Sequence, residues 1–124
     1  MPKKILIVED SEDTRSFMKY LIESYGYETI EAADGIEALD LFKKHQPDLI
    51  LMDMSLPTVG GLTATKAIRE VDASGRVPII AVTAFGKSYL EKSIEAGCNN
   101  LITKPFDFNV LHSLIKKYLE SETA

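Results

Sequence analysis

A chain of 124 residues with 45% hydrophobic and 27% charged side chains is long enough to bury a core of its own and suits one domain spanning residues 1–124. Its formal net charge of -5 argues against a surface built to grip phosphate backbones, so nucleic acid is not expected as a partner. No apolar run reaches bilayer length, and the short one behind Lys3 and Lys4 ends in acid where a signal peptide would not, so a cytoplasmic protein without membrane contact is expected.

In chain order, short apolar runs alternate with stretches of helical period. Ile5 to Val8 reads as a buried strand. Phe17, Met18, Leu21, Ile22 and Tyr25 then share one helical face, closed by Gly26 at a C-cap position. Tyr27 to Ala32 is a more polar strand, as at a sheet edge, and Asp34-Gly35 turns the chain into a helix carrying Ile36, Leu39 and Phe42 that Pro47 stops. Leu49 to Met52 runs into Asp53. A loop rich in Pro and Gly follows, and Leu62, Ala64, Ile68 and Val71 mark a third helix. Pro78 opens the strand Ile79 to Thr83, a fourth helix is expected from about Ser88 to Gly97, and Asn100 to Thr103 precedes Lys104-Pro105. Phe108, Leu111, Leu114, Ile115, Tyr118 and Leu119 outline a last helix, and Glu120 to Ala124 is a polar tail. The lone Cys98 has no partner for a disulfide or a zinc site and reads as a small packing residue. His45 and His112 read as solvated helix-face residues, Met52 as core, and Met54 stays open.

Strand-helix units without hairpin signals require crossover connections, hence an α/β protein with a parallel sheet covered by helices on both faces. Ligands of such sheets bind beyond the carboxyl ends of the strands. At those ends stand Glu9 and Asp10, then Asp53, Thr83 and Lys104. Singly, the acids have ordinary explanations: a favourable helix dipole for Glu9 and Asp10, a turn cap for Asp53. Together on one edge they would repel one another unless a cation sat among them. A set of oxygen ligands without His or Cys selects a hard ion, and Mg2+ fits.

The segments "IVED", "LILMD", "VTA" and "TKPF", at these spacings along the full length, resemble the receiver domain of two-component response regulators. The resemblance implies a five-stranded parallel sheet of order 2-1-3-4-5, with Asp53 as the phospho-acceptor. It implies Mg2+ held by the carboxylates of Asp10 and Asp53 and the main-chain carbonyl of Ser55, with Glu9 acting through a metal-bound water. Thr83 and Lys104 would contact the phosphoryl oxygens, and the Lys104-Pro105 bond would be cis. The donor would be phosphohistidine on a sensor histidine kinase or histidine phosphotransfer protein. Catalysis would be limited to the receiver's own phosphorylation and dephosphorylation. Output would be altered binding of a downstream protein, as in stand-alone receivers, through helix four, strand five and helix five. That face offers Lys87, Tyr89, Leu90, Asn100 and Leu101.

Two positions depart from the family's usual pattern. Leu101 stands where an aromatic residue commonly precedes the strand-five lysine, and Phe85 is bulky where relatives are often smaller, which is expected to affect water access to an acyl phosphate. Two rival readings are a flavodoxin-like cofactor binder and a receiver-like binding module that works without phosphorylation. The first suits the acidic "EDSEDT" of Glu9 to Thr14 poorly, because a flavin phosphate wants a hydroxyl- or Gly-rich loop there. The second would be marked by loss of the acceptor, acid pair or lysine, and all are present.

Overall fold

The computed structural model describes residues 2–56 and 59–120. Residues 57–58 of the expected Pro and Gly loop and residues 121–124 of the expected polar tail lie outside the described residues. Strands β1 (Lys4–Val8), β2 (Glu28–Ala32), β3 (Leu49–Asp53), β4 (Ile79–Thr83) and β5 (Asn100–Thr103) alternate with helices α1 (Glu12–Ser24), α2 (Gly35–His45), α3 (Gly61–Val71), α4 (Leu90–Ala96) and α5 (Phe108–Leu119). All pairings are parallel and the sheet order is β2-β1-β3-β4-β5, as the family resemblance implied.

Alternation along each strand divides the core into two layers. Leu6, Val8, Ile50, Met52, Ile79 and Ala81 face Ala38, Phe42, Ala64 and Ile68 of α2 and α3. Ile5, Ile7, Leu49, Leu51, Ile80 and Val82 face Met18 and Ile22 of α1 and Leu111 and Ile115 of α5. Covered on both sides, β1, β3 and β4 need unbroken apolar runs, and each of these side chains is no more than 1% exposed. The edge strand β2 keeps Glu28 exposed and Thr29, Ile30 and Glu31 half-buried, in keeping with its polar sequence.

Side-chain caps set the starts of three helices. Ser11 accepts the Thr14 N–H at the start of α1, Asp34 accepts the Glu37 N–H at the start of α2, and Asp107 accepts the Asn109 N–H at the start of α5. Glu37 answers by accepting the Ala33 N–H at 2.7 Å, a reciprocal capping arrangement. Gly26 ends α1 at φ +97, the left-handed conformation that its place after the helix anticipated.

Three expectations change. The fourth helix begins as a 3-10 turn over Gly86–Tyr89 and becomes α-helical only at Leu90. No side chain caps either segment, so the first turn tightens to satisfy its own backbone. Phe17, Ile36, Val71 and Phe108 lie at the rims of their apolar stripes and are 42–56% exposed. His112 is half-buried, its ring stacked on that of Tyr25 at 3.8 Å with the planes 1° apart, so it joins α5 to α1. Cys98 is buried as expected, and Met54 proves to be core at 4% exposed.

Candidate functional site

The carboxyl ends of β1, β3, β4 and β5 meet on one edge of the sheet. Register sets this: Val8 lies opposite Met52 and Asp53 opposite Val82, so the residues that follow β1 and end β3 emerge side by side. Carboxylate oxygens of Glu9, Asp10 and Asp53 come within 4.8 Å of one another. Glu9 and Asp53 are buried, each 2% exposed, whereas Asp10 is open to solvent. The Lys104 N–H donates to the Thr83 carbonyl at 2.7 Å, which hands the chain from β5 into the site. The lysine side chain then reaches back across the sheet edge, its Nζ 2.8 Å from Glu9 Oε1 and 3.4 Å from Asp53 Oδ2.

The remaining oxygens are aimed by local backbone donors. Asp53 Oδ1 accepts the Ser55 N–H at 2.9 Å, and Glu9 Oε2 accepts the Ser11 N–H at 3.1 Å. Thr83 is fully buried, and its hydroxyl accepts the Phe85 N–H at 3.0 Å. Burial pushes the Glu9 carboxyl above its ordinary pKa; the bonds from Lys104 and Ser11 pull it down, and the negative charge of Asp53 pushes up again. For Lys104, burial works against the ammonium, but the Glu9 hydrogen bond and the Asp53 charge outweigh it and hold the group above its ordinary value. Lys104 is therefore a firm cation at the edge of the cluster, and it moderates the repulsion that the acids would otherwise feel.

One lysine does not neutralise three carboxylates. Asp10 has no hydrogen-bond or ion-pair partner among the described residues, and the donors are oxygens throughout, a chemistry suited to Mg2+. The residues present fit such an ion.

Gly61 is a site residue that motif reading passed over. A Cβ there would stand 2.4 Å from the Asp53 carbonyl oxygen and 2.7 Å from Met54 Cα, so α3 can begin against the Asp53 backbone only with glycine at this point. The doublet Gly60-Gly61 after β3 was the available signal. Of the two departures noted in the sequence, Leu101 is half-buried against the core layer shared with α2 and α3, and Phe85 is 58% exposed with its ring 5.5 Å from that of Tyr89. The Lys104-Pro105 bond is cis.

This sheet order and this acidic edge with its lysine define a known class of signalling domain. The family model for the response regulator receiver domain matches residues 5–116, so the chain belongs to that family and is a phosphorylation-accepting receiver. It is similar to the polar-differentiation response regulator DivK of Brucella anthropi, with 47% identity over 120 residues, 96% of this chain and 98% of the relative. Among solved structures it resembles the receiver domain of a Pseudomonas aeruginosa sensor histidine kinase with a magnesium ion coordinated in its active site cleft: TM-score 0.89, 34% identity, 98% of this chain and 100% of that one. It also resembles the receiver domain of Ssk1 from Saccharomyces cerevisiae, crystallised with the histidine phosphotransfer protein Ypd1: TM-score 0.86, 29% identity, 94% of this chain and 88% of that one. Receiver domains bind Mg2+ in their acidic cleft and interact with histidine kinases or phosphotransfer proteins. Nothing in these comparisons favours the phosphorylation-independent reading. Among the described residues no helix is long and apolar enough to cross a membrane.

Proposed function

We propose that the chain works as one cytoplasmic receiver unit in which Asp53 takes the phosphoryl group from phosphohistidine of a kinase or phosphotransfer protein, with Mg2+ held beside it. The observation that carries this reading is the meeting of Glu9, Asp10, Asp53 and Lys104 at one strand edge. An Asp53 carboxylate oxygen attacks phosphorus in line; the phosphorus–nitrogen bond breaks, and its electron pair stays on the imidazole, which takes a proton. The product is an aspartyl phosphate.

Asp10 and Asp53 would hold the ion with the Ser55 carbonyl, and Glu9 would act through a metal-bound water. The ion supplies positive charge for the phosphoryl oxygens. Lys104 supplies charge from the other side, a point cation on a flexible stem, and the Thr83 hydroxyl donates to a phosphoryl oxygen. Dephosphorylation is a separate step: water attacks phosphorus, the bond to Asp53 breaks with its electron pair on the carboxylate, and inorganic phosphate leaves carrying the oxygen of that water, with the protons shared between phosphate and solvent. The exposed Phe85 ring narrows the approach of that water. Output passes through α4, β5 and α5 to a downstream protein.

Incubation with Mg2+ and a small acyl phosphate donor tests the assignment. A mass gain of one phosphoryl group is expected in the parent and not in Asp53→Asn. A gain that persists in Asp53→Asn rules out Asp53 as the acceptor.

A further inference from the structure

The peptide joining Glu9 to Asp10 carries the acid pair, and its orientation sets the direction in which the Asp10 side chain leaves the backbone. The β1–β2 ladder ends with Val8 opposite Ala32, and the Glu9 N–H still donates to the Ala32 carbonyl at 3.0 Å. The pairing of β1 with β2 stops at that rung. The Glu9 carbonyl is met instead by Arg15, whose Nη1 donates to it at 2.9 Å. The same guanidinium donates through Nε to Glu31 Oε1 at 3.3 Å, and Lys19 Nζ lies 3.6 Å from Glu31 Oε2. Arg15 thus connects β2 to the Glu9 carbonyl from the second turn of α1, and acts as one more rung of the ladder made by a side chain.

We propose that Arg15 is a positioning residue for the metal-binding carboxylates: by holding the Glu9 carbonyl it fixes the peptide that aims Asp10 at Asp53. This inference rests on the reading that Glu9, Asp10 and Asp53 hold Mg2+. Arginine suits the task because its planar fork engages two acceptors in different directions at once, which an ammonium on a stem does less well. Partial cover supports the assignment, since the Arg15 side chain is 18% exposed against 43% for Lys19, its neighbour on Glu31. The plainer role would be that of a positive charge paired with Glu31.

The two roles predict opposite signs. Removing a positive charge beside an acidic cluster strengthens binding of another cation, whereas loosening the peptide that carries Asp10 weakens it. Titration calorimetry with Mg2+ alone, on the full chain, distinguishes them. Arg15→Met keeps the apolar stem and loses every donor; about a tenfold weaker Mg2+ affinity is expected, the scale for partners that orient metal ligands. Its Asp10 amide resonance should also shift in the metal-free protein. Arg15→Lys restores the charge without the fork and should remain several-fold weak. Lys19→Met removes the same unit charge from Glu31 and should stay within about twofold of the parent, as exposed pairs do.

An Arg15→Met protein that binds Mg2+ as tightly as the parent, or more tightly, overturns the proposal. So does an Arg15→Lys protein that matches the parent, and that milder variant decides the matter if Arg15→Met does not fold. Asp10→Asn separates this outcome from failure of the site reading. A parent that binds Mg2+ at least about tenfold more tightly than Asp10→Asn leaves the reading intact, so that the Arg15 variants alone judge the positioning role, whereas equal binding by the two overturns the site reading and the proposal with it. A parent that binds no Mg2+ overturns both.

Discussion

Two strands deliver the chain into the site and hand it to helices of very different construction. After β1, Ser11 caps α1, Glu12 and Asp13 occupy its first turn, and the Glu9 carboxylate is engaged by both Ser11 and Lys104. After β4, Thr83 holds the Phe85 N–H through its hydroxyl, a 3-10 turn follows, and the seven-residue α4 starts without a side-chain cap. Phe85, Leu90 and Ile94 stay 39–58% exposed along this stretch. The far end of α4 is closed more firmly: Gly97 and Cys98 donate their N–H groups back to Ile94 and Ser93, and Arg69 Nε donates to the Gly97 carbonyl at 2.9 Å. The connection after β1, which on the proposed reading carries the metal, is therefore held by a capped helix. The connection after β4, which would meet the phosphoryl group, relies near the site on local bonds such as Phe85 N–H to Thr83 and Ser88 to the Phe85 carbonyl, and is closed across to α3 only at its distant end. Segments with few buried contacts and weak capping open at the lowest free energy.

The largest effect should appear in amide hydrogen exchange with and without a phosphoryl mimic on Asp53. Exchange across Ala84 to Ser88 should change in the parent, because the Thr83 hydroxyl that now accepts the Phe85 N–H would turn to donate to the phosphoryl group. α1 should stay unchanged. Thr83→Ala should lose the response entirely, while Leu101→Ala keeps it. A response of equal size in α1 would break the contrast between the two connections.

Next in size is the anchor of α4. Gly97 has φ +118, and a Cβ there would sit 2.8 Å from Arg69 Cγ, so Gly97→Ala combines backbone strain with displacement of the Arg69 side chain. A loss of about 2 kcal/mol in urea unfolding is expected. A loss below a few tenths would show that the far end of α4 is no firmer than the near end.

Asp10→Asn sharpens the other side of the contrast. It should weaken Mg2+ binding at least about tenfold, or roughly 1.4 kcal/mol, and Glu12→Gln, two residues later at the start of α1, should leave binding unchanged. Equal affinities in the two variants would remove Asp10 from the metal side.

The smallest effect concerns Asp72, which follows α3 and orders the loop into β4. Its burial acts to raise the carboxyl pKa, but hydrogen bonds from Ser74 and Val77 and the charge of Arg69 outweigh that and hold it below the ordinary value. A depressed carboxylate contributes stability that is fully present above the unfolded value of about 3.9 and is lost as pH falls through the folded one. Asp72→Asn should cost on the order of 1 kcal/mol at pH 7 and progressively less below about pH 4. A cost independent of pH would locate the effect in packing.

Much of the site was legible because strand ends are legible. A run such as "LILMD" announces both a buried strand and the polar residue with which it leaves the core. Periodicity was a poorer guide to cover. Phe17 and Phe108 keep the helical spacing of core residues, yet each is nearly half exposed, and their rings meet at 5.5 Å on the surface between α1 and α5. Spacing marks the direction of a stripe, whereas its buried width depends on the neighbouring element. The 3-10 start of α4 was equally hidden, since it reflects a missing cap and not an apolar pattern.

By itself the sequence determined the strand-helix alternation, the two-sided burial of β1, β3 and β4, and the kinds of oxygen and nitrogen donor left at the strand ends, because each follows from local patterning and from the cost of burying a polar group. Only the tertiary structure decided which groups meet. Glu9 and Lys104 are 95 positions apart, and they touch at 2.8 Å because parallel pairing places β1, β3, β4 and β5 in one register. The demand for glycine at position 61 likewise exists only once α3 is packed against the Asp53 backbone. Arg15 is the same case: nothing in its neighbours along the chain distinguishes it from any charged residue on a helix face, and its bond to the Glu9 carbonyl arises where β1 and β2 stop pairing and α1 crosses between them.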